Sequence, residues 1–196
     1  MQYGAFLTRC QPLTLAHVGC IRQMLSEVEH ALIIIGSANK KYTLRNPFPI
    51  ELRLEMMHDM IEDEFPEARD RITVMSLDDL DYENSTTNPL WGDYLYDAIV
   101  SATGSKTFAY YTGEPLEQST NWFGDRLGRK VIPHLIRLTS PNEIVTATEV
   151  RTAININDVR FIVNHCPASV VKRYYTLLQI LLKVLDDPQP DFSTIE

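Results

Sequence analysis

Tyr3-Gly4-Ala5-Phe6-Leu7-Thr8-Arg9-Cys10-Gln11-Pro12-Leu13-Thr14-Leu15-Ala16-His17 is the stretch on which the reading of this chain turns. Tyr3 to Leu7 is an apolar run of strand length, and it ends in a polar turn that closes at Pro12. Thr14 then stands where a helix cap belongs, and Leu15, Val18, Ile21, Leu25 and Val28 follow at helical spacing. A strand thus passes into a helix through a short turn, with an arginine, a threonine and a histidine gathered around it.

The same alternation continues outward. Ala31 to Ile35, Arg71 to Leu77, Thr107 to Tyr111 and Lys130 to Leu138 are further strand-length runs bounded by turns. Between them Ile50, Leu54, Met57 and Ile61, and later Trp91, Leu95, Ala98 and Ile99, keep a helical period. Strands alternating with helices predict an α/β fold, a Rossmann-like parallel sheet of about five strands with helices on both faces. Beyond Leu138 the alternation stops. Thr148 to Ile154, Asn157 to Asn164 and Ala168 to Leu185 read as a helical C-terminal segment, the last helix carrying Val171, Tyr174, Tyr175, Leu178, Leu181 and Leu182 on a broad stripe. With no repeat, linker or low-complexity block, residues 1–186 are expected to form one domain and residues 187–196, with Pro188 and Pro190, a frayed tail.

Of 196 residues, 44% are hydrophobic and 22% charged, which is not the balance of a disordered or membrane-embedded chain. The longest apolar run, near Ala31 to Ile35, falls far short of the roughly 20 residues of a membrane helix. The first residues enter a strand with no basic stretch and no cleavage pattern, from which a cytoplasmic location is expected. A net charge of -8 argues against nucleic acid and anionic membranes as partners, because such binding rests on clustered Lys and Arg. Any phosphate has to be met locally. Cys10, Cys20 and Cys166 are odd in number and form no close pair, so buried free thiols are expected rather than a disulfide framework or a zinc site.

Ligands of an open parallel sheet sit beyond the carboxyl ends of its strands. The candidate chemistry therefore lies in Thr8 to His17, Ser37 to Arg53, Asp78 to Trp91, Thr112 to Glu114 and Thr139 to Arg151. Thr14 and His17, three apart, share one face of a helix start beside free backbone N–H groups and the positive end of the helix dipole, a corner that suits a phosphate. Taken alone they are better read as a cap and a surface histidine. Thr103-Gly104-Ser105-Lys106-Thr107 lacks P-loop spacing and precedes a strand, and no G-x-G-x-x-G follows any strand, which counts against a dehydrogenase. His30, His58, His134 and His165 show no ligand-like spacing, and Asp78, Asp79 and Asp81 read as a solvated acidic loop.

Read in order, several segments resemble one branch of the nucleotidylyltransferase superfamily, the nicotinamide-nucleotide adenylyltransferases of the archaeal type, which also occur fused to a Nudix domain. Thr14-Leu15-Ala16-His17 is similar to the (H/T)-x-G-H signature, and Arg9-Cys10-Gln11-Pro12 to the G-R-F-Q-P turn. Ile35-Gly36-Ser37-Ala38 resembles that family's strand-two ending, and Leu44-Arg45-Asn46-Pro47-Phe48 followed by Arg53 its R-[ND]-P-[FW] loop and E-R helix start. Asn88-Pro89-Leu90-Trp91 resembles N-x-L-W, and Thr146-Ala147-Thr148-Glu149-Val150-Arg151 resembles [ST]-x-T-E-[IV]-R. The chain departs from the pattern at Thr8, Cys10, Ala16 and Leu52, none of them a charged catalytic position.

The resemblance implies in-line attack of a mononucleotide phosphate on the α-phosphorus of ATP, with no covalent enzyme intermediate, so that the protein positions and neutralises. It implies His17, Thr14, Arg9, Arg45 and Arg151 as the catalytic set. Arg9, Gln11, Thr14, His17, Thr112, Gly113, Thr146, Thr148 and Arg151 would meet ATP. Gly36, Ser37, Arg45, Asn88 and Trp91 would meet nicotinamide mononucleotide (NMN) or the product NAD, with the Trp91 indole stacked on the pyridinium and Asn88 on the carboxamide. Magnesium would ride on the ATP phosphates without protein ligands, and a homo-oligomer is implied. The rivals are a same-fold transferase acting on nicotinate mononucleotide or another phosphate acceptor, such as phosphopantetheine or a CTP-dependent substrate, and a nucleotide-binding regulator without turnover.

Overall fold

Along the second strand Ala31, Ile33 and Ile35 enter one apolar layer while Leu32 and Ile34 enter another, and every one of them is buried. A strand with two buried faces requires cover on both, which is the condition that a parallel sheet meets. The computed structural model describes residues 2–80, 89–112, 122–136 and 144–187. Its elements are β1 (Tyr3–Thr8), α1 (Leu15–Glu27), β2 (His30–Ile35), α2 (Ile50–Glu64), β3 (Ile72–Ser76), α3 (Pro89–Thr103), β4 (Phe108–Thr112) and β5 (Val131–Leu135), followed by α4 (Ala147–Asn155), α5 (Val159–His165), α6 (Ala168–Val171) and α7 (Tyr174–Asp186).

The sheet is parallel throughout, in the order β3-β2-β1-β4-β5. The chain builds outward from β1 to β3, then returns to the other side of β1, so a crevice opens between the carboxyl ends of β1 and β4. One face is covered by α1, α2 and the C-terminal helices through Ile21, Met24, Met57, Met60, Ile154 and Leu177. The other is covered by α3 with Leu95 and Ile99, joined by Phe123. Helices on both faces of a parallel sheet, with a helical C-terminal segment, are what the alternation predicts.

Several boundaries differ from the sequence reading. The expected helix from Ala168 to Leu185 is broken at Lys172 and Arg173 into α6 and α7. There Lys172 and Arg173 turn back onto Asp59 of α2, at 2.5 and 2.7 Å, while Arg173 also donates to the Ser169 carbonyl at 2.9 Å. The expected strand from Arg71 begins instead at Ile72, because the Arg71 guanidinium is taken up by the carbonyls of Leu25, Val28 and Glu29 at the end of α1. β5 stops at Leu135 rather than Leu138, residues 137–138 lying outside the described ones. All three cysteines are buried and free, and burial pushes the Cys10 and Cys166 thiols up to about 12. Among the described residues no helix is long and apolar enough to cross a membrane.

Gly92 of α3 lies flat against the backbone of Trp122, where an added Cβ would sit 1.6 Å from the Trp122 carbonyl oxygen. Gly92→Ala is therefore expected to lower stability by about 1–3 kcal/mol or more, read from urea unfolding. A second expectation concerns pH. Hydrogen bonds from Lys172 and Arg173 hold the Asp59 carboxyl below its ordinary value, so its contribution is complete above about pH 4 and is lost as pH falls through the depressed folded value. Thermal melts of Asp59→Asn should then show a loss at neutral pH that disappears in strong acid.

Candidate active site

At the end of β1 the chain makes a tight turn from Arg9 to Leu13 and enters α1 at Thr14, which is fully buried. The His17 imidazole folds back over this start. Its Nδ1 accepts the Thr14 backbone N–H at 3.0 Å and lies 3.0 Å from the Thr14 hydroxyl. A nitrogen that accepts an amide proton carries none of its own, so in the neutral ring the proton is on Nε2. Burial pushes the imidazole down to about 4, which makes His17 a neutral donor at physiological pH.

A second helix start converges on the same turn. Thr146 and Glu149 close a capping box on α4, the Thr146 hydroxyl accepting the Glu149 N–H at 3.2 Å and the Glu149 carboxylate accepting the Thr146 N–H at 2.8 Å. Thr146 is thus engaged as a cap. One turn on, the Arg151 guanidinium donates to the Gln11 carbonyl at 2.6 Å and to the Thr148 hydroxyl at 3.1 Å. Burial and then the positive charge of Arg9 push the Arg151 pKa below the ordinary arginine value, which marks two guanidinium groups crowding one turn. Such an arrangement favours a polyanion.

The loop after β2 forms the opposite wall. Gln11 fastens it, its side-chain amide donating to the Phe48 carbonyl at 3.1 Å and accepting the Phe48 N–H at 2.9 Å. Both ends of that amide thus hold the loop. Arg45, just before this clip, is exposed, while Asn46 is buried. Gly36 and Ser37 follow directly on β2, Ser37 in the left-handed region at φ 51°. Their carbonyls, with that of Arg9, are bound by the buried side chain of Arg53 at 2.8, 2.9 and 3.0 Å. Sequence reasoning matched Arg53 to a motif without finding this role, although a charged residue one and two turns ahead of the buried Met57 and Met60 was a visible sign.

Thr112 is buried at the end of β4, beside the crevice. Asn88 and Gly113 lie outside the described residues. Trp91 is 5% exposed and packs in the core, its ring tilted on Tyr94 and edge-on to Trp122 at 6.3 Å. That is the default position of a tryptophan on an apolar helix, and stacking on a pyridinium would require its ring to be uncovered. Trp122, half-buried beside it, escaped the sequence reading because nothing in its spacing connects it to α3. Among the described residues no group of three or more His, Cys, Asp and Glu comes together in a form that could hold a metal ion.

This geometry agrees with the match of the cytidylyltransferase-like profile to residues 5–188. The chain belongs to the cytidylyltransferase-like family. A nicotinamide-nucleotide adenylyltransferase of Thermococcus sibiricus is 30% identical over 148 residues, 76% of this chain and 70% of that protein. That of Pyrococcus furiosus is 27% identical over 151 residues, 77% of this chain and 72% of that one. The fold is shared with the crystal structure of a bifunctional NMN adenylyltransferase/ADP ribose pyrophosphatase from Francisella tularensis, complexed with AMP and a manganese ion, at a TM-score of 0.65 and 18% identity. The likeness covers 92% of this chain and 52% of that one, so this chain spans about half its length.

In this cytidylyltransferase-like chain the His17 ring is expected to titrate near 4 by 15N NMR, with Nδ1 unprotonated and Nε2 protonated at neutral pH. The unfolded chain takes up that proton at about 6.5, so stability contributed by the neutral ring falls as pH drops from there through the folded value. A ring that titrates near its ordinary value would remove the neutral donor.

Proposed function

We propose that the protein transfers the adenylyl group of ATP to nicotinamide mononucleotide, forming NAD and releasing pyrophosphate. The observation that carries this reading is the meeting of two helix starts at one turn, with Arg9, Arg151 and a neutral His17, in a chain whose relatives are named nicotinamide-nucleotide adenylyltransferases. An oxygen of the mononucleotide phosphate attacks the α-phosphorus of ATP, a new P–O bond forms, and the bond to the bridging oxygen of pyrophosphate breaks with its electron pair. Nε2–H of His17 would donate to the α-phosphate, with the Thr14 hydroxyl beside it. Arg151 and Thr148 would take the β- and γ-phosphates together with Arg9, and Arg45 the triphosphate or the acceptor phosphate.

The donors named here are cations, hydroxyls and N–H groups, which fits a magnesium ion carried by the triphosphate rather than by side chains. When bound, that ion would neutralise charge on the phosphoryl oxygens. Gly36 and Ser37 would approach the acceptor through their backbone, and Trp91 would stack on the pyridine ring once its own ring is uncovered. Exposed Tyr175, Leu182 and Leu185 on one side of α7 support assembly of several copies through that helix, a point for light scattering to decide.

The test is to mix the protein with ATP, magnesium and, in turn, nicotinamide mononucleotide, nicotinate mononucleotide and phosphopantetheine, and to measure dinucleotide and pyrophosphate. Turnover is expected with the pyridine mononucleotides. His17→Ala and Arg151→Ala should each cost on the order of 10²- to 10³-fold in kcat, with the far-ultraviolet spectrum retained. ATP binding without product would favour the regulator, and product only with phosphopantetheine a different transferase.

A further inference from the structure

Arg53 is completely buried and hydrogen-bonds only backbone carbonyls among the described residues, with the carboxylates of Asp79 and Glu51 acting on it through their charge alone. Its two terminal nitrogens are given to three backbone carbonyls, and its Nε has no hydrogen-bond partner. A desolvated charge facing neutral acceptors is an expensive way to tie a loop, since neutral side chains could supply the same N–H groups without it. What distinguishes a guanidinium is shape: a flat, rigid fork whose donors keep fixed mutual directions. That fork joins the two walls of the cleft. Arg9 belongs to the turn assigned to ATP, while Gly36 and Ser37 belong to the turn assigned to the acceptor.

The backbone on both sides of the fork is constrained as well. Cys10, directly after Arg9, and Ser37 both sit at φ 51°, in the left-handed region that is strained for a non-glycine residue. In a planar trans peptide the N–H points opposite to the C=O. Three carbonyls drawn toward Arg53 therefore turn the N–H groups of Cys10, Ser37 and Ala38 away from it. One side chain thus bridges both turns, beside the single backbone bond from the Gly36 N–H to the Thr8 carbonyl at 2.9 Å.

We infer that Arg53 is a positioning residue that fixes the ATP turn and the acceptor turn at the spacing needed for in-line transfer, without touching either substrate. This rests on the adenylyl-transfer reading above. It follows that the loss of the fork should appear in kcat rather than in the affinity for either substrate alone, because each turn still binds but the two no longer register. A misplacement of about 1 Å between reacting groups is enough for losses on the order of 10²-fold.

The decisive variant is Arg53→Lys, which keeps the charge but not the planar fork, measured beside Arg53→Gln. In Arg53→Lys, kcat is expected to fall about 10- to 100-fold while calorimetric affinities for ATP and for nicotinamide mononucleotide, each alone, stay within about threefold. Wild-type kcat in Arg53→Lys would overturn the inference, as would an equal loss of affinity for both substrates that accounts for the whole effect. A measurement that needs no substitution is 15N NMR of the wild-type guanidinium. Separate, slowly exchanging Nη signals are expected, unchanged by either substrate alone, and a single averaged signal would overturn the rigid fork. If the wild-type protein makes no dinucleotide, the proposed reaction itself fails, a result visible before any variant is made.

Discussion

Where a parallel sheet ends, its strands stop pairing, and the backbone groups just beyond have no ladder to join. β1 and β2 run side by side in register to Thr8 and Ile35, so two turns leave the sheet together with their carbonyls close in space. The Arg53 guanidinium meets three of those carbonyls at once. Everything proposed for the site hangs on that junction. Arg9 and His17 project from one turn, Gly36 and Ser37 from the other, and the Gln11 amide extends the first wall to Phe48 and hence to the neighbourhood of Arg45.

The electrostatics follow from the same economy of placement. A chain of net charge -8 has no basic face to offer a triphosphate, and it gathers a few guanidiniums at one rim instead. Arg9 and Arg151 are close enough for the charge of one to push down the pKa of the other. The histidine at the start of α1 adds no further charge, since burial keeps it neutral and the Thr14 N–H directs its remaining proton to Nε2. A neutral donor and two cations at a helix start suit oxygens whose negative charge grows during phosphoryl displacement.

Three departures from the family pattern also find a physical account. Thr8 stands where a glycine precedes the arginine, and its hydroxyl is used: it lies 3.4 Å from the Cys10 N–H and 3.6 Å from the Cys10 sulfur, bracing a turn whose next residue is in the left-handed region. Cys10 itself is buried and its thiol is pushed up to about 12, so it packs as a small apolar side chain and not as a nucleophile. Leu52, which departs from the resembled E-R motif, packs against the core from α2. The anchoring of Arg53 is then left to backbone carbonyls.

The sequence by itself determined whatever repeats or acts locally: the alternation of strand and helix, the apolar faces, the free cysteines, and the one-turn spacing of Thr14 with His17 and of Thr148 with Arg151. Periodicity and one-turn spacing carry that information along the chain. The tertiary structure alone decided the strand order, the break between α6 and α7, and the burial of Trp91 beside Trp122. It also decided the contacts that make the site, in which Arg53 reaches back 44 residues to Arg9, Gln11 reaches 37 residues to Phe48, and Arg151 reaches back 140 residues to Gln11. Such contacts leave no periodic trace, because the distance between their partners is set by how helices settle on the sheet and not by any spacing within the chain.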